Sequence, residues 1–451
     1  MKPDAFYVQS PARRARVLRS LIFSAKESII MQMYLFAARG ELRTLQPVEG
    51  PPWAELVADW LIERKAQRPD LKILVLLDSQ TIADAKRTTG KQFPLTRHRL
   101  EDAGIVVLTA SLRRTVFKPS LFHSLHKAWE GNGVRREKDD WATLQHNWQT
   151  AHNVEDHRKN IVIDSGRAGI VFSHNLIDQA RFWQENTFLL RNQLARDLYG
   201  IALVAGRDAL GLPVRFSEND LSLLPWLERQ ALSHAEEATT PLEGDAGSPG
   251  TMVERQRILD GGPEIRRAIL DEMDRVAHGE IRVASAYYSD METLARLSDV
   301  SRNVRVRILI DSCNALALPN VLHYLLKNTV NILCIHFCRK FPQLELRIFP
   351  SVRREMMHMK AISFSEGPCL IAGQANFTPN SFSGAWLETS VRLSQSRIVK
   401  QFDAHFDQLW ERSDRVIPYV EMTFFQSIRT RTHEFVFLFM VRVAGWLGFR
   451  Y

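Results

Sequence analysis

The sequence predicts an α/β protein of two duplicated halves, each a mixed sheet flanked by helices, and three observations lead to it. Apolar strand-like runs alternate with amphipathic helical stretches, the pattern of layered α/β folds. The order of these elements repeats once along the chain, as a duplication requires. A histidine, a lysine two residues on and an asparagine sixteen beyond the lysine also occur twice at the same spacing, as His157, Lys159 and Asn175, then His358, Lys360 and Asn376.

In the first half, Ala12 to Ala25 has helical spacing and Ser28 to Phe36 is strand-like. Trp53 to Gln67 follows as a helix and Lys72 to Asp78 as a buried strand. The second half gives a helix over Pro263 to Ala277, a strand over Ile281 to Tyr288, a short helical stretch and a strand over Val304 to Asp311. The two buried strands end alike, in Leu77-Asp78-Ser79 and Ile310-Asp311-Ser312. After each comes another strand (Ile105 to Leu108; Leu344 to Phe349), then the His/Lys strand, then an apolar strand entering the asparagine.

The stretch Ser233 to Thr251, rich in Pro, Gly, Ala, Thr and acid, has linker composition. It divides the chain into a first domain (1–232), a second (252–415) and a tail (416–451). The first half carries an insertion, about 111–150, in which Arg and Lys alternate with Phe117, Phe122, Trp129, Trp141 and Trp148. Such a segment suits a lipid headgroup or single-stranded nucleic acid, or packs on the sheet as an ordinary helical hairpin.

At 451 residues, 45% hydrophobic and 24% charged, the chain has the composition of a folded protein of about two domains, not of a disordered one. Its 59 Lys+Arg against 51 Asp+Glu give a net charge of +8, which favours anionic partners without choosing between nucleic acid and a lipid surface. Cys313, Cys334, Cys338 and Cys369 lack the spacing of a disulfide framework or zinc site and fit buried, reduced thiols. The N-terminus lacks the apolar core of a signal peptide, and no stretch approaches the roughly 20 apolar residues of a membrane span. A cytoplasmic location is therefore expected. From Phe424 onward, Arg429, Arg431, Arg442 and Arg450 are interleaved with Phe, Trp and Val. That composition suits a helix in a membrane interface, or a terminal helix covering a groove. Peripheral attachment to the inner face of the cell membrane is the corresponding expectation.

A histidine and a lysine at i and i+2 on a strand share one face. Together they make a cationic pocket that can grip a phosphoryl group. Two such pockets suggest two halves of one phosphate-handling site. His152, His174, His336 and His405 have no partner at such a spacing and are expected to be structural, and Met356, Met357 and Met359 to pack a strand.

The runs His157 to Asp164 with Gly169 to Asn175, and His358 to Ser365 with Gly373 to Asn376, resemble the duplicated His-x-Lys-x4-Asp signature of the phospholipase D superfamily with its downstream Gly-Ser and Asn. Glu185 and Glu388 stand where that family's glutamate follows, and the resemblance spans about Arg13 to Arg412. It implies two phospholipase D-like domains about a pseudo-two-fold axis, sharing one site. One histidine attacks phosphorus and the other protonates the leaving alkoxide. His157 would be the nucleophile and His358 the general acid, although the sequence does not settle their order. Lys159 and Lys360 complete the catalytic set with Asp164, an Asp that is chiefly structural in the family. Asn175, Asn376 and Ser173 would hold phosphate, and Glu185 and Glu388 join this substrate-binding set by orienting the histidines. No cofactor and no metal are implied.

The chain departs from the signature at Ser365, where Asp is usual but Glu366 is adjacent, at Gln374 for Ser and at Phe172 for Gly. The resemblance points to a cardiolipin synthase-like phosphatidyltransferase or phospholipase D, taking a phospholipid and an alcohol or water at an anionic membrane. A phosphodiesterase acting on nucleic acid is the alternative enzyme. An inactive membrane-binding or nucleic-acid-binding module is the third reading.

Overall fold

The computed structural model describes residues 4–36, 53–78, 95–110, 155–177, 179–210, 256–312, 331–352, 355–384 and 386–446. The expected insertion (111–150) and linker (233–251) lie outside the described residues. The first half runs β1 (Ala5–Tyr7), α1 (Pro11–Ser24), β2 (Ser28–Met33), α2 (Trp53–Gln67), β3 (Lys72–Asp78), α3 (Leu95–Asp102), β4 (Val106–Ala110), β5 (Glu155–Asp156), β6 (Lys159–Ile163), β7 (Ala168–Phe172), β8 (Thr187–Arg191) and α4 (Asn192–Leu210). The second runs β9 (Arg257–Asp260), α5 (Gly262–Arg275), β10 (Glu280–Ser285), α6 (Met291–Val300), β11 (Arg305–Asp311), α7 (Ile332–Lys340), β12 (Leu344–Phe349), β13 (Lys360–Phe364), β14 (Cys369–Gly373), α8 (Pro379–Ser383), β15 (Trp386–Leu387), β16 (Thr389–Leu393), α9 (Ser396–Glu411), β17 (Asp414–Arg415) and α10 (Phe424–Trp446).

The two sheets superpose in order. The first is β1-β8-β7-β6-β2-β3-β4 and the second β9-β16-β14-β13-β10-β11-β12-β17. In each, three neighbouring strands are parallel (β2, β3, β4; β10, β11, β12) and the rest antiparallel. The His/Lys strands β6 and β13 sit centrally, paired with β2 and β7 or with β10 and β14. The expected mixed sheets and duplication are present, and predicted and observed strands agree to within a few residues. The exceptions are Ser28 to Phe36 and Ile281 to Tyr288, whose strands stop at Met33 and Ser285. There the chain turns out of the sheet and carries Tyr34 and Tyr287 toward the histidines.

Strand periodicity explains the layers. On β2, Ile30 joins a central core while Ile29 and Met31 join an outer core under α1 and α2. The second sheet has its own outer core, where Ile281 and Val283 pack with Ile265 and Leu294. The central core holds residues of both halves, including Leu194, Leu198, Phe402 and Phe406. Helices α4 and α9 thus fill the space between the sheets. Helix α4 covers its own sheet and touches β9, and α9 covers its own sheet and touches β1. Cys334, Cys338 and Cys369 are buried apolar-core residues.

The strand leading into Asn376 depends on a close backbone approach. Gly373 pairs with Ser390, and a Cβ there would lie 2.5 Å from the Ser390 Cα and 2.5 Å from the Thr389 carbonyl oxygen. Gly373→Ala is expected to cost about 1–3 kcal/mol through overpacking, seen as a lower thermal-unfolding midpoint. An unchanged midpoint would mean that β14 and β16 separate freely.

Candidate active site between the two halves

Each histidine lies two residues ahead of its lysine, where the chain enters a central strand. The matched Asp-Ser strand ends hold it there. Asp78 Oδ2 accepts the Asp156 N–H at 2.8 Å, and Asp311 Oδ2 accepts the Met357 N–H at 2.8 Å, each on the residue before a histidine. A short parallel ladder then joins the halves: β15 pairs with β5, and Gln184 pairs with Met357 in the equivalent place. The His358 N–H donates to the Gln184 carbonyl at 2.8 Å.

This stitching crosses the carboxylates over. Glu388 of the second half lies 2.8 Å from His157 Nδ1 of the first, and Glu185 of the first lies 2.8 Å from His358 Nδ1 of the second. Both glutamates are wholly buried. A carboxylate on Nδ1 fixes the tautomer that leaves Nε2 free to react. Neither half holds an oriented histidine alone.

The two predicted lysines lie at the same place. Lys159 Nζ lies 3.2 Å from His157 Nδ1, and Lys360 Nζ lies 2.8 Å from His358 Nε2. Both lysines are buried, and desolvation lowers them to about 8 and about 7, against the glutamates that raise them. Burial, then the charges of Lys159, Lys360 and His358, depress His157 well below its usual value. Burial also lowers His358 to about 4, although the Glu185 charge opposes it. The site is therefore short of negative charge, which an incoming phosphodiester supplies. Asn175 and Asn376 are buried, and the Oδ1 of each lacks a hydrogen-bond partner among the described residues. These are side-chain amides awaiting a polar group.

Two assignments need correction. Asp164 is not at the histidines. It sits at the far end of β6, where its carboxylate accepts the N–H groups of Lys26, Glu27 and Ser28 at 2.8–3.1 Å and so anchors the start of β2. The Ser173 hydroxyl is taken up within the protein: it is buried, donates to Glu185 Oε2 and accepts the Asn186 N–H at 2.9 Å. Glu185 and Glu388 contact the histidines, the orienting position expected of them.

The departures from the signature are compensated. Ser365 Oγ accepts the Glu280 N–H at 2.7 Å, and Glu366 accepts the Ala277 and His278 N–H groups at 2.7 and 2.8 Å, so two residues do the work of Asp164. Gln374 stands where Ser173 stands, and Thr389 where Asn186 stands. Asn186 Nδ2 donates across to the Lys360 carbonyl at 2.7 Å, whereas in the other half Gln374 Nε2 donates to the Lys159 carbonyl at 2.8 Å. The crossing amide has moved one strand over. The hydroxyl on the glutamate comes instead from Ser381. Glu388 Oε2 is buried without a hydrogen-bond partner, and burial raises it to about 8, against the pull of Lys159, Ser381 and Lys360. Burial would also raise Glu185, but the charge and hydrogen bond of His358, with the charge of Lys360, bring it to about 2. The two His–Glu pairs are electrostatically unequal.

Sequence reasoning missed an aromatic lining. Tyr34 and Trp386 lie with ring centroids 4.1 and 4.9 Å from His157, and Trp183 and Tyr287 lie 5.0 and 6.4 Å from His358. A repeated Trp-x-Glu, at Trp183-Gln184-Glu185 and Trp386-Leu387-Glu388, was the available signal. Arg14 was missed too. It is buried, donates to the Trp183 carbonyl at 2.7 Å and lies in the field of Glu185. Arg266, at the matching position of α5, pairs with Asp290 and Glu292. Of the histidines expected to be structural, His152 lies outside the described residues and His336 is met on the α7–α10 face. His405 bonds Tyr7 and Gln184, and His174 packs against Phe172 and Trp53.

The depressed lysines give the site a pH dependence. Both are cationic below about 7, and each loses its proton as pH rises through about 7 and about 8. Affinity for sulfate, a dianion throughout this range, is expected to fall between pH 6 and 9 when measured by calorimetry. A constant affinity would mean that the lysines do not grip the anion.

Residues 269–410 match the family model described as "Cardiolipin synthase, PLD-like domain". No curated protein matches the sequence. Among solved structures, the fold is similar to phosphatidylserine synthase of Haemophilus influenzae Rd KW20, with TM-score 0.61 and 13% identity over 98% of this chain and 94% of that one. It is also similar to polyphosphate kinase from Porphyromonas gingivalis, with TM-score 0.50 and 11% identity over 92% of this chain and 48% of that one. The second half thus matches a phospholipase D-like domain, and the first half repeats its fold and its His–Lys–Asn set.

Proposed function

We propose that this protein transfers or hydrolyses the phosphatidyl group of a phospholipid, as a cardiolipin synthase-like phosphatidyltransferase or phospholipase D. The observation that carries this reading is the crossed pair of His–Glu contacts, which sets two oriented imidazoles beside two buried lysines and two unsatisfied asparagines. In the first step His157 Nε2 bonds to phosphorus, the bond to the leaving alcohol oxygen breaks, and His358 gives that oxygen its proton. In the second, His358 takes the proton of an acceptor alcohol or water, whose oxygen displaces the imidazole. Lys159, Lys360, Asn175 and Asn376 neutralise and hydrogen-bond the equatorial oxygens as charge develops.

The inequality of the glutamates supports this order. Glu185, held as a carboxylate, opposes the burial that lowers His358, a support that His157 lacks, so His358 is the more readily protonated of the two and the better placed to act as the acid. Glu388, raised by burial, leaves His157 neutral and nucleophilic. The compensations at Ser365 and Gln374 favour a working site over a degenerate one. For a lipid substrate, support comes from the description of the matched family model and from fold similarity to a phosphatidylserine synthase over nearly the whole chain. Action at the inner face of the cell membrane belongs to the same proposal.

The test offers the protein phosphatidylglycerol liposomes, with and without a second alcohol, and separately single-stranded DNA. His157→Ala and His358→Ala are each expected to lower lipid turnover by about 10²–10⁴-fold. Cleavage of DNA with untouched lipid would overturn the reading. The roles separate on a p-nitrophenyl phosphodiester, whose leaving group departs without a proton. His358→Ala should regain turnover there and His157→Ala should not; the opposite pattern would exchange the two histidines.

A further inference from the structure

Helix α10 is held against α7 by one buried side chain. Glu434 is 1% exposed, lies 2.7 Å from His336 Nδ1 and is hydrogen-bonded by Arg339 and the Tyr419 hydroxyl. A buried carboxylate satisfied by several donors fixes the rotation of its helix, because turning it would leave a buried charge unpaired. At roughly 100° per residue, Phe425, Ile428 and Phe439 fall on the side turned away from Glu434, and Phe424 and Phe435 flank it. Those residues are 73%, 81%, 49%, 68% and 58% exposed. The Phe435 and Phe439 rings stack at 6.5 Å. Among the described residues no helix is long and apolar enough to cross a membrane.

Beside the aromatic row opens a cavity of about 340 Å³ lined by His336, Lys340, Tyr419, Arg431 and Phe435. The Arg431 guanidinium lies 4.7 Å over the Tyr419 ring. Glu434, the acid at this junction, is taken up by Arg339 and His336. Lys340 and Arg431 have no carboxylate within ion-pair distance among the described residues. Two unneutralised cations at the mouth of a headgroup-sized cavity, next to contiguous exposed phenylalanines, match the layering of an anionic bilayer, with phosphates above and acyl chains below.

We propose that the α7–α10 face docks on an anionic phospholipid bilayer, with one headgroup phosphate between Lys340 and Arg431 and the phenylalanines in the interface. This site shares no residue with the His–Lys centre and does not depend on the chemistry performed there. Each basic side chain at the surface is worth about fivefold in affinity, the equivalent of roughly 1 kcal/mol.

Co-sedimentation of the full chain with vesicles tests this. Wild-type protein should pellet with vesicles of phosphatidylcholine and phosphatidylglycerol, less so at high salt, and weakly with phosphatidylcholine alone. The Lys340→Ala/Arg431→Ala variant should bind the mixed vesicles more than tenfold more weakly, and Phe435→Ser/Phe439→Ser should also release the protein. All four positions are at the surface, so an unchanged thermal midpoint is the folding control. His157→Ala should pellet like wild type, which separates loss of chemistry from loss of docking. Wild-type protein that stays in the supernatant, or a double variant that pellets unchanged, would overturn the proposal.

Discussion

Two buried carboxylates, each reaching out of its own half to a histidine of the other, are the contacts on which the rest of this structure depends. A wholly buried carboxylate is costly unless a donor meets it, and losing one partner leaves the other as an uncompensated buried group. Glu185 and Glu388 meet their donors only when the halves are in register. The short ladder of β5 with β15, the matching Gln184–Met357 bridge and the shared core around α4 and α9 all serve that register. Assembly of the halves and assembly of the site are one event.

The duplication is faithful in backbone and freer in chemistry. Where the first half uses one aspartate to tie down the start of its second strand, the second half uses Ser365 and Glu366 together. Where the first half places an amide just before β8 and a hydroxyl just after β7, the second places the amide just after β14 and the hydroxyl on β16. The crossing hydrogen bond to each lysine carbonyl survives the exchange. The two glutamates nevertheless differ, because burial raises Glu388 whereas the charge and hydrogen bond of His358 bring Glu185 down. A displacement reaction needs such a difference, because its nucleophile and its acid must hold different numbers of protons at the same pH.

Charge is used differently at the two ends of the second half. At the histidines, cations are buried, desolvated and depressed, so an anion binds where it relieves a deficit already built in. On the α7–α10 face, Lys340 and Arg431 stay in water beside exposed phenylalanines, where they act by attraction at a surface. The docked-helix expectation for the tail is met on one side of α10, and the proposed membrane contact uses another. Glu434 docks one side, and the opposite side remains open.

By itself the sequence determined the element order, the duplication and the paired histidines and lysines. Local periodicity and a repeat of His, Lys and Asn at one spacing carry that information without any contact being known. Most strands fell where their apolar runs predict, and His157 with Lys159 and His358 with Lys360 come together between the halves. Tertiary structure alone decided which glutamate serves which histidine, since the pairing joins residues more than a hundred positions apart across a pseudo-symmetric interface. It also gave the Asp164 carboxylate to a backbone turn and the Ser173 hydroxyl to Glu185. Spacing along a strand fixes the face on which a side chain emerges, but its partner is set by whatever the other half brings to that face.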